Sequence, residues 1–147
     1  MLKIEIIDEA GEVPLDQRRL KDAVRAILQE ASVTEAQVSI AVVDDPTIRR
    51  LHHKYLGVDE PTDVMSFLLE RGESSLEGEV IVSAETARAA AARFGWPAGD
   101  ELLLYVIHGA LHLVGCDDVT DEQRHEMRRR EQAHLGRFGL NRPDEIV

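Results

Sequence analysis

"DELLLYVIHGALHLVG" (100–115) decides how the rest of the chain folds. Its apolar residues fall on nearly every side of a helix. The sequence therefore predicts a helix over 100–115 that is buried in the middle of its domain. Polar residues interrupt it near its end, at His108 and His112. Residues four apart stand on one helix face, and both imidazoles could reach a single ion at about 2.0–2.1 Å. Gly115 lets the chain turn back after the helix, which can bring Asp118 in from the far side. Two histidines satisfied by ordinary hydrogen bonds would be the plainer alternative. Unpartnered buried imidazoles are costly, however, and a metal removes that cost. The predicted ligands are His108, His112 and Asp118, holding one divalent ion, most naturally zinc. A set of two histidines and a carboxylate also suits iron(II). Asp117 could substitute for Asp118, support it, or act as the candidate general base. Cys116 reads as a small buried hydrophobe.

Outward from this helix, "KIEIID" (3–8), "VSIAVVD" (38–44), "DVMSFLL" (63–69) and "GEVIVS" (78–83) read as strands. Helices are expected over 15–31 with Asp16 as N-cap, and over 45–56 with Asp45 as cap, Pro46 as first helical residue and Gly57 as stop. Another is expected over 84–94, halted by Gly95 and Pro97, and a last one over about 120–135, opened by the capping box "TDEQ". "RGESSLEG" (71–78) reads as a polar loop and "NRPDEIV" (141–147) as a frayed tail. The fold class is α/β. One domain over 1–147 has a small mixed four-stranded sheet packed with about five helices, the histidine helix at its centre.

The net charge is −11, so the chain as a whole repels polyanions. Any contact with nucleic acid must rest on a local basic patch or a metal. "RRLHHKY" (49–55) supplies the best patch, with Arg49, Arg50 and Lys54, although a charge run is usually a solvated face. Thr62 and Ser66 could donate hydrogen bonds to phosphate, or serve as a turn residue and a polar strand position. "RRR" (128–130), balanced by Glu126 and Glu131, reads as a solvated face. Trp96 reads as a packing lid, Tyr105 as core, and His125 and His134 as surface. A lone Cys116 permits no intrachain disulfide and fits a reducing cytoplasm. "MLKIEIIDEAGEV" lacks a signal-peptide pattern, and no stretch approaches the roughly twenty apolar residues of a membrane span.

The order of residues also resembles the bacterial YbeY family, zinc-dependent single-strand endoribonucleases of ribosomal RNA maturation. The family motif is H-G-x-L-H-L-x-G-Y-D-H. This chain has His108, Gly109, Ala110, Leu111, His112, Leu113, Val114, Gly115, Cys116, Asp117 and Asp118. "EPTDVMSF" (60–67) and "GEVIVS" (78–83) are similar to two further family phrases, and Met127 and Glu131 match the last helix. The likeness covers about residues 38–135. Two positions depart from it. The family's third metal histidine falls on Asp118, and an arginine associated with RNA binding or cleavage falls on Leu56, which cannot make a charge-assisted phosphate contact.

The resemblance implies a zinc-dependent endoribonuclease acting on ribosomal RNA or ribosomal subunits, with no DNA and no membrane partner. A metal-binding ribosome-associated factor with little nuclease activity is the first alternative. Another metallohydrolase, such as a peptidase, is the second. The peptidase motif H-E-x-x-H needs a glutamate after the first histidine, and Gly109 stands there.

Overall fold

The computed structural model describes residues 1–146. In chain order the elements are β1 (Leu2–Asp8), α1 (Gln17–Glu30), β2 (Glu35–Val43), α2 (Asp45–Leu56), β3 (Val64–Arg71), β4 (Ser75–Ser83), α3 (Ala84–Phe94), α4 (Ala98–Leu113) and α5 (Asp121–Gly136). The sheet runs β1-β2-β4-β3. β1, β2 and β4 are parallel, and β3 lies antiparallel against β4 at one edge. The sheet is mixed, as expected.

Strand alternation divides the core. Val38, Ile40, Val42, Val80 and Val82 point toward α1, α3 and α4 and form the main cluster. On the other face, Val43, Met65 and Ile81 pack with Ile48 of α2 in a smaller cluster. α4 lies across β3 and β4 and is flanked by α1, α3 and α5. Every residue from Glu101 to Ile107 is buried, as the all-round apolar pattern predicts.

α4 also approaches the sheet too closely for a side chain at one point. A Cβ on Gly109 would stand 2.6 Å from Val80 Cγ1, 3.0 Å from Ser66 Oγ and 3.0 Å from Val64 Cγ2. The Ser66 hydroxyl donates to the Gly109 carbonyl at 2.9 Å, so it acts first as a tie between β3 and α4. The position that would carry a peptidase's glutamate therefore faces the sheet.

Several boundaries differ from the sequence expectation. The N-cap of α2 is Asp44, whose side chain accepts from Thr47 N at 2.9 Å. Asp45 instead accepts from the hydroxyls of Ser83 and Thr86, linking α2 to the start of α3. α4 starts at Ala98, with Pro97 at its cap. β3 runs to Arg71 and β4 starts at Ser75, so only 72–74 of the expected loop 71–78 lie between the strands. Leu76 is buried while its neighbours stay outside, and this outward polarity made the segment look like a loop.

Two burial expectations also change. The tail is anchored: Arg142 Nε and Nη2 donate to Glu101 at 3.0 and 2.5 Å, and Trp96 Nε1 donates to the same carboxylate at 2.9 Å. Glu101 is fully buried, and a buried charge needs such partners. Ile146 N donates to Arg93 O; Val147, the last residue of the expected frayed segment, lies outside the described residues. His134 is buried, not on the surface, because its face of α5 turns toward Glu30 at the end of α1. Burial pulls its pKa below the ordinary histidine value despite Glu30. Tyr105 is core and His125 is exposed, as expected.

The contact at Gly109 yields a prediction. Gly109→Ala gains helix propensity but overpacks against Val80 and Val64, which costs roughly 1–3 kcal/mol. The urea unfolding midpoint is expected to fall accordingly; an unchanged or higher midpoint contradicts it.

Candidate metal centre

Packing fixes the exposed end of α4. With Gly109 turned to the sheet, His108 and His112 face outward, each only partly buried. After α4 the backbone reverses through Gly115, at φ +98°. Cys116 N donates to Leu111 O at 3.0 Å, closing the turn. Arg124, from α5, holds the next residues by donating to the carbonyls of Asp118 at 3.3 Å and Val119 at 2.6 Å. Thr120 and Gln123 then form the expected capping box of α5.

This turn brings Asp118 to the histidines. His108 Nε2 and His112 Nε2 are 3.1 Å apart, and each lies 3.4 Å from Asp118 Oδ2. Zinc–nitrogen bonds of about 2.0–2.1 Å at a tetrahedral angle place neighbouring ligand atoms about 3.3–3.4 Å apart. The two edges to Asp118 have that length, and the edge between the histidines, at 3.1 Å, is slightly shorter. Among the described residues, this is the group of three histidine, cysteine or acidic side chains that could hold a metal ion.

Glu131 completes the arrangement. Its Oε2 lies 2.6 Å from His108 Nδ1. With the Nδ1 proton donated to the carboxylate, Nε2 presents its lone pair to Asp118 and His112. Burial pulls the His108 pKa down, but the hydrogen bond and charge of Glu131, helped by Asp118 and Asp63, outweigh it and raise the pKa above the ordinary value. From the sequence, Glu131 reads as a surface balance for "RRR". Its signal was faint: one carboxylate on a highly charged helix, four residues after the buried Met127. The three arginines separate accordingly. Arg129 pairs with Glu126, Arg130 reaches Glu30 and Cys116 Sγ, and Arg128 lines a cavity beside His108. Cys116 is half-buried; burial pushes its thiol pKa up, against the pull of Arg130.

Two cavities flank the triangle. On the His112 side, a cleft of about 510 Å³ is bordered by His52, Leu56, Thr62, Ser66 and Phe67. On the His108 side, a cavity of about 260 Å³ is bordered by Asp63, Tyr105, Asp118, Arg128 and Glu131. Thr62 and Ser66 thus reach the site, and Leu56, 63% exposed, borders the same cleft as His112. The cations of α2 do not line it. Arg49 pairs with Asp59 at 2.8 Å, Arg50 is exposed, and the Lys54 ammonium lies 5.2 Å from the centre of the Tyr55 ring. Asp117 is exposed beside Asp118. Asp63, which sequence reasoning did not single out, lies in the His108 cavity and accepts from its neighbour Val64 N at 2.8 Å.

Comparison with known proteins gives the fold and the family. The fold resembles the solution structure of TM1509 from Thermotoga maritima, with a TM-score of 0.61 over 95% of this chain and 92% of that one, at 24% identity. Proteins named Endoribonuclease YbeY from Bacillus licheniformis and Bacillus subtilis are 37% and 36% identical, each over 96% of this chain and 98% of the relative. Another of that name, from Desulfitobacterium hafniense, is 39% identical over 80% of this chain and 82% of its own length. The family model described as Endoribonuclease YbeY matches residues 5–139, and with these relatives it establishes that the chain belongs to that family.

Proposed function

We propose that the protein is a metal-dependent endoribonuclease that cleaves single-stranded RNA in ribosomal RNA maturation, with one zinc ion bound by His108, His112 and Asp118. The supporting observation is the triangle of His108, His112 and Asp118, with edges of 3.1, 3.4 and 3.4 Å and Glu131 behind it. Relatives that carry the endoribonuclease name supply the reaction class. Ribosomal RNA or ribosomal subunits are the proposed partner and the cytoplasm the proposed compartment. No helix among the described residues is long and apolar enough to cross a membrane.

A zinc ion with three protein ligands supplies a water of pKa near about 7 and Lewis acidity toward a phosphoryl oxygen. The protein's own groups do the rest. Glu131 orients His108 and fixes its tautomer. Arg124 holds the Asp118 turn in place. Thr62, at the rim of the His112 cleft, can hydrogen-bond to phosphate, while Ser66 keeps its proton on Gly109 and is left to accept. Arg49, Arg50 and Lys54 draw the RNA toward that rim from outside the cleft. Two carboxylates compete for proton transfer. Both are exposed, but Asp63 lines the cavity beside His108 and Asp117 lines neither cavity, so we assign proton acceptance to Asp63. Asp63→Asn is expected to lower kcat with KM nearly unchanged. Asp117→Asn is expected to change either value less, and the reverse ranking returns the role to Asp117.

Metal binding is tested apart from activity. His112→Ala is expected to abolish zinc binding by elemental analysis and to remove the rise in melting temperature on adding zinc, since metal-binding energy is in part folding energy. Glu131→Ala is expected to weaken zinc about 10–100-fold in competition with a chelating indicator, as loss of a histidine's hydrogen-bond acceptor does elsewhere. Unchanged affinity in both variants contradicts the assignment.

Cleavage of labelled single-stranded RNA, with and without chelator, tests the reaction itself. Leu56→Arg is expected to raise cleavage, because it places a guanidinium in the cleft beside His112. Lys54→Ala is expected to lower the rate chiefly at low salt, where steering is strongest. If the zinc-loaded wild type and Leu56→Arg both stay at chelator background, the chain is a metal-binding factor without nuclease activity.

A further inference from the structure

The cleft on the His112 side accounts for only half of the surroundings of the metal triangle. On its other side, the cavity of about 260 Å³ reaches His108 and Asp118 directly. Its floor is apolar, made by Leu104, Tyr105 and Met127, all buried. Its mouth is cationic, with Arg124, Arg128 and Arg142.

The three arginines differ in what they already hold. Arg142 is bound to the buried Glu101. Arg124 is spent on the carbonyls of Asp118 and Val119 and on Asp121. Arg128 is exposed and makes no ion pair or hydrogen bond with the described residues. Its neighbours on both sides in sequence are paired, Arg129 with Glu126 and Met127 into the core. In a chain with 28 acidic residues against 17 lysines and arginines, an unpaired guanidinium beside two metal-ligating side chains is an unusual placement, and phosphate is the chemistry its planar fork fits.

We propose that this cavity is a nucleotide subsite, in which Arg128 grips one backbone phosphate of the RNA while its base lies against Tyr105 and Leu104. The proposal rests on the endoribonuclease reading and extends it: the strand crosses the metal centre from the His112 cleft to the α5 side. The volume suits this occupant. Pockets for drug-sized ligands occupy about 300–1,000 Å³, and this one, a little smaller, is of the size for a single base with its sugar. The phenol of Tyr105 stays neutral, because burial and then the nearby Glu101 push its pKa up. Tyr105, 6% exposed, lines the cavity floor with a small aromatic surface against which a base can pack.

The test measures zinc content, melting temperature, and binding and cleavage of single-stranded RNA for wild type, Arg128→Ala, Arg128→Lys and Arg129→Ala. Arg129→Ala removes the same charge from the same helix away from the cavity. Arg128→Ala is expected to raise KM and Kd for RNA about ten-fold, the effect of one charge-assisted hydrogen bond, with zinc content and melting temperature unchanged. The slope of log affinity against log salt is expected to become shallower by about one. Arg128→Lys should recover part of the loss and Arg129→Ala should show none. Uridine 5′-monophosphate added to ¹⁵N-labelled protein should shift the amides of Tyr105 and Arg128. Equal effects of Arg128→Ala and Arg129→Ala would reduce the result to net charge and overturn the subsite, as would shifts confined to other regions. A zinc-loaded wild type that cleaves RNA while Arg128→Ala matches it overturns the subsite alone. A zinc-loaded wild type that neither binds nor cleaves RNA overturns the nuclease reading and the subsite together.

Discussion

The close approach of α4 to the sheet at Gly109 sets the orientation of everything functional. A helix resting its backbone on Val80 and Val64 has no rotational freedom about its own axis. The Ser66 hydroxyl bonded to the Gly109 carbonyl fixes it further. His108 and His112 then point out of the core by necessity, and the turn that follows α4 only has to bring one carboxylate back to them. The site is thus built on a rigid, fully packed element, the arrangement that best preserves ligand positions. The same contact leaves no room for a glutamate at the position where a peptidase would need its base.

α5 is the second support, and it works by polar contacts as much as by burial. Only Met127, His134 and Leu135 of its residues are buried. Its place is set by the capping box, by Met127 and Leu135 in the main core, by the ion pair of Arg130 with Glu30, and by the contact of His134 with the same carboxylate. From that position Glu131 reaches His108 and Arg124 reaches the Asp118 turn. One helix therefore supplies the acceptor that orients one ligand and the cation that holds the backbone of another.

These facts explain what could be read in the sequence. α4 was legible because an all-apolar helix has one physical solution, burial. The histidine pair was legible because it breaks that pattern on one face. Asp16, Gly57, Gly95 and the Thr120 box declared their helix ends by local chemistry alone, and the structure bears them out. What escaped depends on partners distant in sequence. Glu131 lies 23 residues from His108 and looks like any exposed acid until the turn is built. Glu101 and Arg142 lie 41 residues apart, so a tail that looked frayed is tied to a buried carboxylate. The start of β4 escaped because its outward residues are polar and only Leu76 marks the inner face. Asp44 and Asp45 were exchanged as cap because both are good caps, and only the Ser83 and Thr86 hydroxyls decide between them.

Asp118, where the family motif has a histidine, changes the electrostatics of the centre in a way the rest of the chain answers. A neutral imidazole leaves a divalent ion its full charge, whereas a carboxylate removes one unit, and Glu131 behind His108 removes a second. The centre would then be close to neutral toward an incoming phosphate. The overall charge of −11 adds repulsion at long range. Attraction must come from within a Debye length, about 8–10 Å at physiological salt. Leu56 provides none from α2. The cations that line a cavity with the triangle are those of α5 and the tail, Arg124, Arg128 and Arg142, around the His108 cavity. Two of them are held in local pairs whose carboxylates or carbonyls offset their charge. The balance of the site therefore shifts from α2 to α5. Leu56 leaves the His112 cleft without a cation, and on the proposed reading Arg128 would supply one in the cavity that Asp118 also lines.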